Sequence, residues 1–111
     1  MHTGSASSTH PVVAAAIEAL DAHDAEALAA LFVADGCVDD ANETHEGRSA
    51  IRRWFEATPA TRIELLHEES YGSEVELIAK AHGDYPQSPL SFRYGFELEG
   101  NRIASLKISL I

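Results

Sequence analysis

Leu90, Phe92, Tyr94, Phe96 and Leu98 stand at every second position of one stretch, with Ser91, Arg93, Gly95, Glu97 and Glu99 between them. That strict period of two is the signature of a β-strand with one buried face. The same alternation sets Val75, Leu77, Ala79 and Ala81 against Glu76, Ile78, Lys80 and His82. It also puts Ala104, Leu106, Ile108 and Leu110 on one face, against Ser105, Lys107 and Ser109. In a fourth segment Ile63 and Leu65 alternate with charges, and His67 falls in phase with them. "YGSE" and "EGN" are turn signals and "YPQSP" is a break, so residues 61–111 read as four antiparallel strands.

The first half has a different period. Val13, Ile17 and Leu20 recur at helical spacing behind Pro11, which suits a first helical turn capped by Thr9 or Ser8. The spacing predicts a helix from about Pro11 to His23. Asp24 is a good N-cap for a second helix, about Ala25 to Val33, with Leu28, Leu31 and Phe32 as its apolar stripe and "ADG" as its stop. A third, about Arg48 to Ala57, carries Ile51, Trp54 and Phe55 on one face, with Pro59 just beyond. Between them Gly36 to Asp40 is a short strand, and Thr44 to Glu46 is its hairpin mate or a loop. A sheet with one apolar face must cover it, and the three helices are the available cover. The expected fold class is therefore α+β. Residues 9–111 form one domain behind a flexible lead, 1–8.

Composition narrows the function classes. A chain of 111 residues buries roughly 65% of its unfolded surface and can hold one core without staples. The net charge of −10 argues against nucleic-acid backbones and anionic membranes as partners. No run approaches the roughly 20 apolar residues of a membrane span. "MHTGSASST" has neither the basic nor the apolar region of a signal peptide. The lone Cys37 cannot form an internal disulfide, which fits a reducing, cytoplasmic location. It reads as a small hydrophobe on a strand, since Asp35 and Asp39 oppose a thiolate. His45, His67 and His82 are acid–base candidates, but none has metal-ligand spacing. No phosphate loop and no Ser-His-Asp order is visible. Neither a metal nor an organic cofactor is expected.

"ALDAHDAEALAALFVADGCVDD", "HEGRSAIRRWF" and "GNRIASLKI", in this order of elements, resemble the nuclear transport factor 2-like superfamily. That group includes ketosteroid isomerases and SnoaL-like polyketide cyclases. The resemblance runs from about Pro11 to Ile111 and implies a cone: a curved sheet wrapped around a pocket, with helices closing the other side. It also implies a homodimer through the outer sheet face. Among ketosteroid isomerases the position matching Asp40 holds the proton-shuttling carboxylate. Their helix-one tyrosine matches Ala16 here, so that donor is absent. Their second oxyanion donor, a carboxylic acid of raised pKa, matches Tyr94.

Asp39 and Asp40 must face opposite sides of a strand, and the resemblance assigns Asp40 inward. A carboxylate in an apolar pocket is a usable base near neutral pH, whereas at an exposed strand end it is only a solvated acid. Tyr94 is either a donor to a developing oxyanion or a core tyrosine. The expected pocket lining is Ala16, Phe32, Trp54, Phe55, Phe92, Phe96 and His45, although Trp54 and Phe55 also fit a packed core. The leading expectation is a domain that binds a small apolar molecule, with proton transfer by Asp40 and Tyr94. The alternative is a non-catalytic carrier or dimerisation module of the same fold.

Overall fold

The computed structural model describes residues 10–111. The lead and the Thr9 or Ser8 cap lie outside the described residues. Helices α1 (Pro11–Ala22), α2 (Ala25–Ala30) and α3 (Arg48–Glu56) accompany six strands. These are β1 (Phe32–Asp40), β2 (Glu43–Glu46), β3 (Thr61–Tyr71), β4 (Glu74–Gly83), β5 (Leu90–Glu99) and β6 (Arg102–Leu110). Pro11 occupies the first turn of α1, where its fixed φ costs nothing. At the other end His23 turns left-handed with φ 54°, and the Asp24 N–H reaches back to the Ala19 carbonyl at 2.9 Å. That bond satisfies a carbonyl the helix end would leave open. The Asp24 side chain then accepts from the Ala27 N–H at 3.1 Å and starts α2.

The strands form one curved, unclosed sheet in the order β2-β1-β6-β5-β4-β3. All neighbours are antiparallel except β1 and β6, which run parallel. The helices cover its inner face. Phe32, Phe96, Ile17, Leu28, Leu77 and Leu106 are fully enclosed there, and among the described residues no polar or charged side chain is buried with them. Gly36 crosses directly over the Phe32 ring, where an added Cβ would stand 3.0 Å from a ring carbon.

Three expectations need correction. The second helix stops at Ala30 rather than Val33. The Leu31 carbonyl is taken by the Ile103 N–H of β6 at 2.9 Å, and the Phe32 carbonyl accepts from Arg48 Nε at 2.9 Å. Phe32 therefore opens β1. Aromatic and β-branched residues favour strands, and pairing with β6 outweighs the helical spacing.

The other two corrections come from bulges. Leu66 is inserted between the Leu65–Ala79 and His67–Ile78 pairs, and one extra residue exchanges the faces beyond it. His67 accordingly points outward beside Glu69, with 59% of its side chain exposed. In β6, Ser105 pairs with Glu97 and Ile103 with Leu98, which leaves Ala104 unpaired. Ile103 rather than Ala104 is the buried residue.

Candidate functional site

Asp40 is the last residue of β1, directly before a two-residue turn made by Ala41 and Asn42 at φ 53° and 68°. Along the pleat it shares the face of the fully buried Val38, as alternation requires. Its Oδ2 accepts a hydrogen bond from the Trp54 indole Nε1–H at 3.0 Å. Asp39 lies on the opposite face, where its Oδ1 accepts from the Thr44 hydroxyl at 2.5 Å. The two adjacent carboxylates thus have separate environments.

Asp40 borders a cavity of about 230 Å³. α1 and α3 contribute Leu20, Trp54 and Phe55, and the segment after α3 contributes Thr58 and Pro59. The sheet supplies Thr61 and Ile63 from β3, Leu90, Phe92 and Tyr94 from β5, and Ile108 from β6, and Tyr85 from the β4–β5 connection joins them. Among the described residues Asp40 is the one charged residue in this lining. Asp40, Leu90, Phe92 and Ile108 also edge a wider, open recess of about 650 Å³ at the end of the sheet.

Register explains how Asp40 and Tyr94 come to line one cavity. Tyr94 pairs with Ile108, and Ile108 pairs with Asp40. The three form one row across the sheet, with Ile108 between Asp40 and Tyr94. Two strand spacings separate Asp40 and Tyr94 along the row, roughly 10 Å between backbones, and the concave curvature brings the side chains toward one volume. Tyr94 is only 5% exposed. Burial pushes its phenol up to about 12, and the negative charge of Asp40 adds to the rise, followed by Tyr85. The hydroxyl is therefore a neutral donor at any physiological pH.

The other expected lining residues divide. Trp54, Phe55 and Phe92 border the cavity. Ala16, Phe32 and Phe96 do not: they are enclosed in the core, because their faces meet neighbouring elements before the cavity begins. His45 is likewise absent from the lining. Its ring lies tilted against Trp54 with centroids 5.8 Å apart, and its Nε2 is buried without a hydrogen bond among the described residues, 3.6 Å from Glu43 Oε1. His82 binds Glu64 at 2.8 Å on the outer face, and Arg93 pairs with Glu76 at 3.2 Å. The Cys37 thiol is pushed up by burial first and by Asp39 next, the reverse of an activated nucleophile. Sequence reasoning missed Tyr85, whose hydroxyl donates to the Ala81 carbonyl. The available signal was an aromatic residue inside a proline-containing break between two strands of a curved sheet.

A curved six-stranded sheet with three helices over its inner face, enclosing a cavity at its open end, defines the cone-shaped class of the nuclear transport factor 2-like superfamily. Within it, the chain belongs to the family of the SnoaL-like domain, whose model matches residues 13–106. Similar solved structures agree. A candidate polyketide cyclase from Sinorhizobium meliloti is 31% identical, with a TM-score of 0.83 over 89% of this chain and 94% of that one. A protein from Sphaerobacter thermophilus is 25% identical, with a TM-score of 0.80 over 90% and 93%. The epoxide hydrolase/cyclase-like enzyme SalBIII, which has a role in pyran ring formation in salinomycin, is 20% identical, with a TM-score of 0.79 over 91% and 88%. None of the curated proteins matches the chain. Among the described residues no helix is long and apolar enough to cross a membrane.

Proposed function

We propose that residues 9–111 form one cytoplasmic domain whose cavity binds a small, mostly apolar organic molecule, and that Asp40 moves a proton on it with Tyr94 as hydrogen-bond donor. The observation that carries this reading is the row Asp40–Ile108–Tyr94 along one wall of an otherwise apolar cavity. The cyclase descriptions of the Sinorhizobium protein and SalBIII support chemistry of this general kind. A lone carboxylate in the lining repels anions, which favours a neutral ligand. By itself the volume of about 230 Å³ lies below the roughly 300–1,000 Å³ of drug-sized sites, which suits one or two rings; a larger ligand would extend into the adjoining recess of about 650 Å³.

In the proposed step a carboxylate oxygen of Asp40 takes the proton from a carbon next to a carbonyl. The C–H electron pair becomes the C=C bond of an enolate, and the carbonyl electrons move to oxygen. Tyr94 O–H donates to that oxygen, and Asp40 returns the proton to carbon. A near-attack geometry needs the base about 3–3.5 Å from its carbon and the donor about 3 Å from the oxygen. A ring lying over Ile108 between the two groups suits both. The step requires a base and a donor, and no metal or organic cofactor. With Ala16 where the isomerases carry a tyrosine, one donor is missing, which removes about 10²- to 10³-fold in rate.

The test is solvent deuterium exchange into a panel of one- and two-ring ketones and lactones. Asp40→Asn abolishes exchange while the fold is retained. Tyr94→Phe slows turnover more than it weakens binding, because an oxyanion donor matters most in the transition state. Equal exchange in wild type and both variants, or none in any, favours the non-catalytic carrier or interaction module. The modest cavity volume is the observation on that side. We further propose a homodimer through the outer sheet face.

A further inference from the structure

We propose that Trp54 is the positioning residue of this site: its indole N–H holds Oδ2 of Asp40 and leaves Oδ1 as the oxygen that takes the proton. The inference rests on Asp40 acting as the base, and it assigns the geometry of that base to a named partner.

Asp40 ends β1 next to a tight turn, and its carboxylate takes a hydrogen bond from α3. The indole N–H is a single donor with one direction, and at 3.0 Å it engages one oxygen only. Trp54 is itself held. His45 lies against one side of it with ring centroids 5.8 Å apart, and Phe55 contacts it at 5.6 Å. Helix α3 is anchored to the strand that carries the base: the Gly47 N–H bonds the Gly36 carbonyl at 2.8 Å, and Arg48 Nε bonds the Phe32 carbonyl at 2.9 Å. These bonds tie the helix that carries the donor to the strand that carries the base.

The choice of donor also has chemical meaning. A lysine or arginine in this place would hold the carboxylate equally well, but its opposite charge would strongly favour the anion and weaken the base. A neutral indole orients the group without an ion pair. A phenylalanine could keep an aromatic contact with His45 and Phe55 but has no N–H, so the hydrogen bond to Asp40 is the feature that aromatic packing alone does not require.

Trp54 is the only tryptophan in the chain, so a uniformly ¹⁵N-labelled sample gives one indole resonance. We expect that resonance to move on Asp40→Ala and to stay protected from solvent exchange in the wild type. In the deuterium-exchange assay with 2-tetralone we expect Trp54→Phe to lower kcat by about ten- to a hundredfold, as for a misplaced catalytic group, with KM changed less than twofold. The amide spectrum of each variant reports whether it is folded. An indole resonance unmoved by Asp40→Ala, or a folded Trp54→Phe that exchanges at the wild-type rate while Asp40→Asn is inactive, overturns the proposal. Equal exchange in wild type and Asp40→Asn instead removes the proton-transfer reading, and with it any role for Trp54 in positioning a base.

Discussion

Tyr94 shows how much one residue's surroundings decide. In sequence it is one member of an alternating aromatic stripe, no different in kind from Phe92 or Phe96. In the fold it borders the cavity, and its phenol is pushed up to about 12, by burial first and the charge of Asp40 second. An acid whose folded pKa lies above its unfolded value of about 10 contributes stability that is complete below pH 10. That contribution disappears as pH rises through 12, because the unfolded chain releases the proton first. About 2–3 kcal/mol is at stake for a shift of about two units. Urea unfolding at pH 9 and pH 12 should therefore show a loss that is smaller by that amount in Tyr94→Phe than in wild type. An equal loss in both proteins would show that this phenol is not the group concerned. Asp40 was legible as a candidate because alternation separates it from Asp39 and the resemblance assigns it inward. Its indole partner was not, since Asp40 and Trp54 lie 14 positions apart and meet only when α3 docks on β1.

At the scale of elements, periodicity located three helices and the four long strands, because period two and period 3.6 expose different faces. It failed at the joins. Bulges at Leu66 and Ala104 exchange faces without any turn residue to announce them, and a parallel β6 draws Leu31 and Phe32 out of a helix. The β1–β2 turn carries a testable strain. Ala41 and Asn42 both have positive φ, the form of a type I′ hairpin that favours Asn or Gly at these positions. Alanine pays roughly 1 kcal/mol in the left-handed region. We expect Ala41→Asn to stabilise the protein by about 0.5–1 kcal/mol, seen as a rise in Tm, without moving Asp40. A lower Tm would mean that the alanine methyl group makes a contact worth more than the strain.

The whole molecule raises the question of assembly. The outer sheet face carries mixed charge, including the Arg93–Glu76 and His82–Glu64 pairs, around the partly buried Ile78. Leu66, Tyr71, Leu110 and Ile111 leave about half or more of their surface exposed. A homodimer that covers part of this surface should bury more than about 1,000 Å² in total. Light scattering at high micromolar concentration should then give twice the chain mass of 12.0 kDa. A monomer mass under those conditions would remove the dimer. Local pattern alone determined the α+β class, the order of most elements and the inward side of β4 and β5, because burial of one face writes its period directly into the chain. Resemblance added Asp40 and Tyr94. Only the tertiary structure decided that Ile108 lies between them, that Tyr85 lines the cavity, that Ala16, Phe32 and Phe96 are spent on the core, and that Trp54 hydrogen-bonds the carboxylate. Each of these depends on strand register or helix docking between segments distant in sequence, and no local period encodes such a meeting.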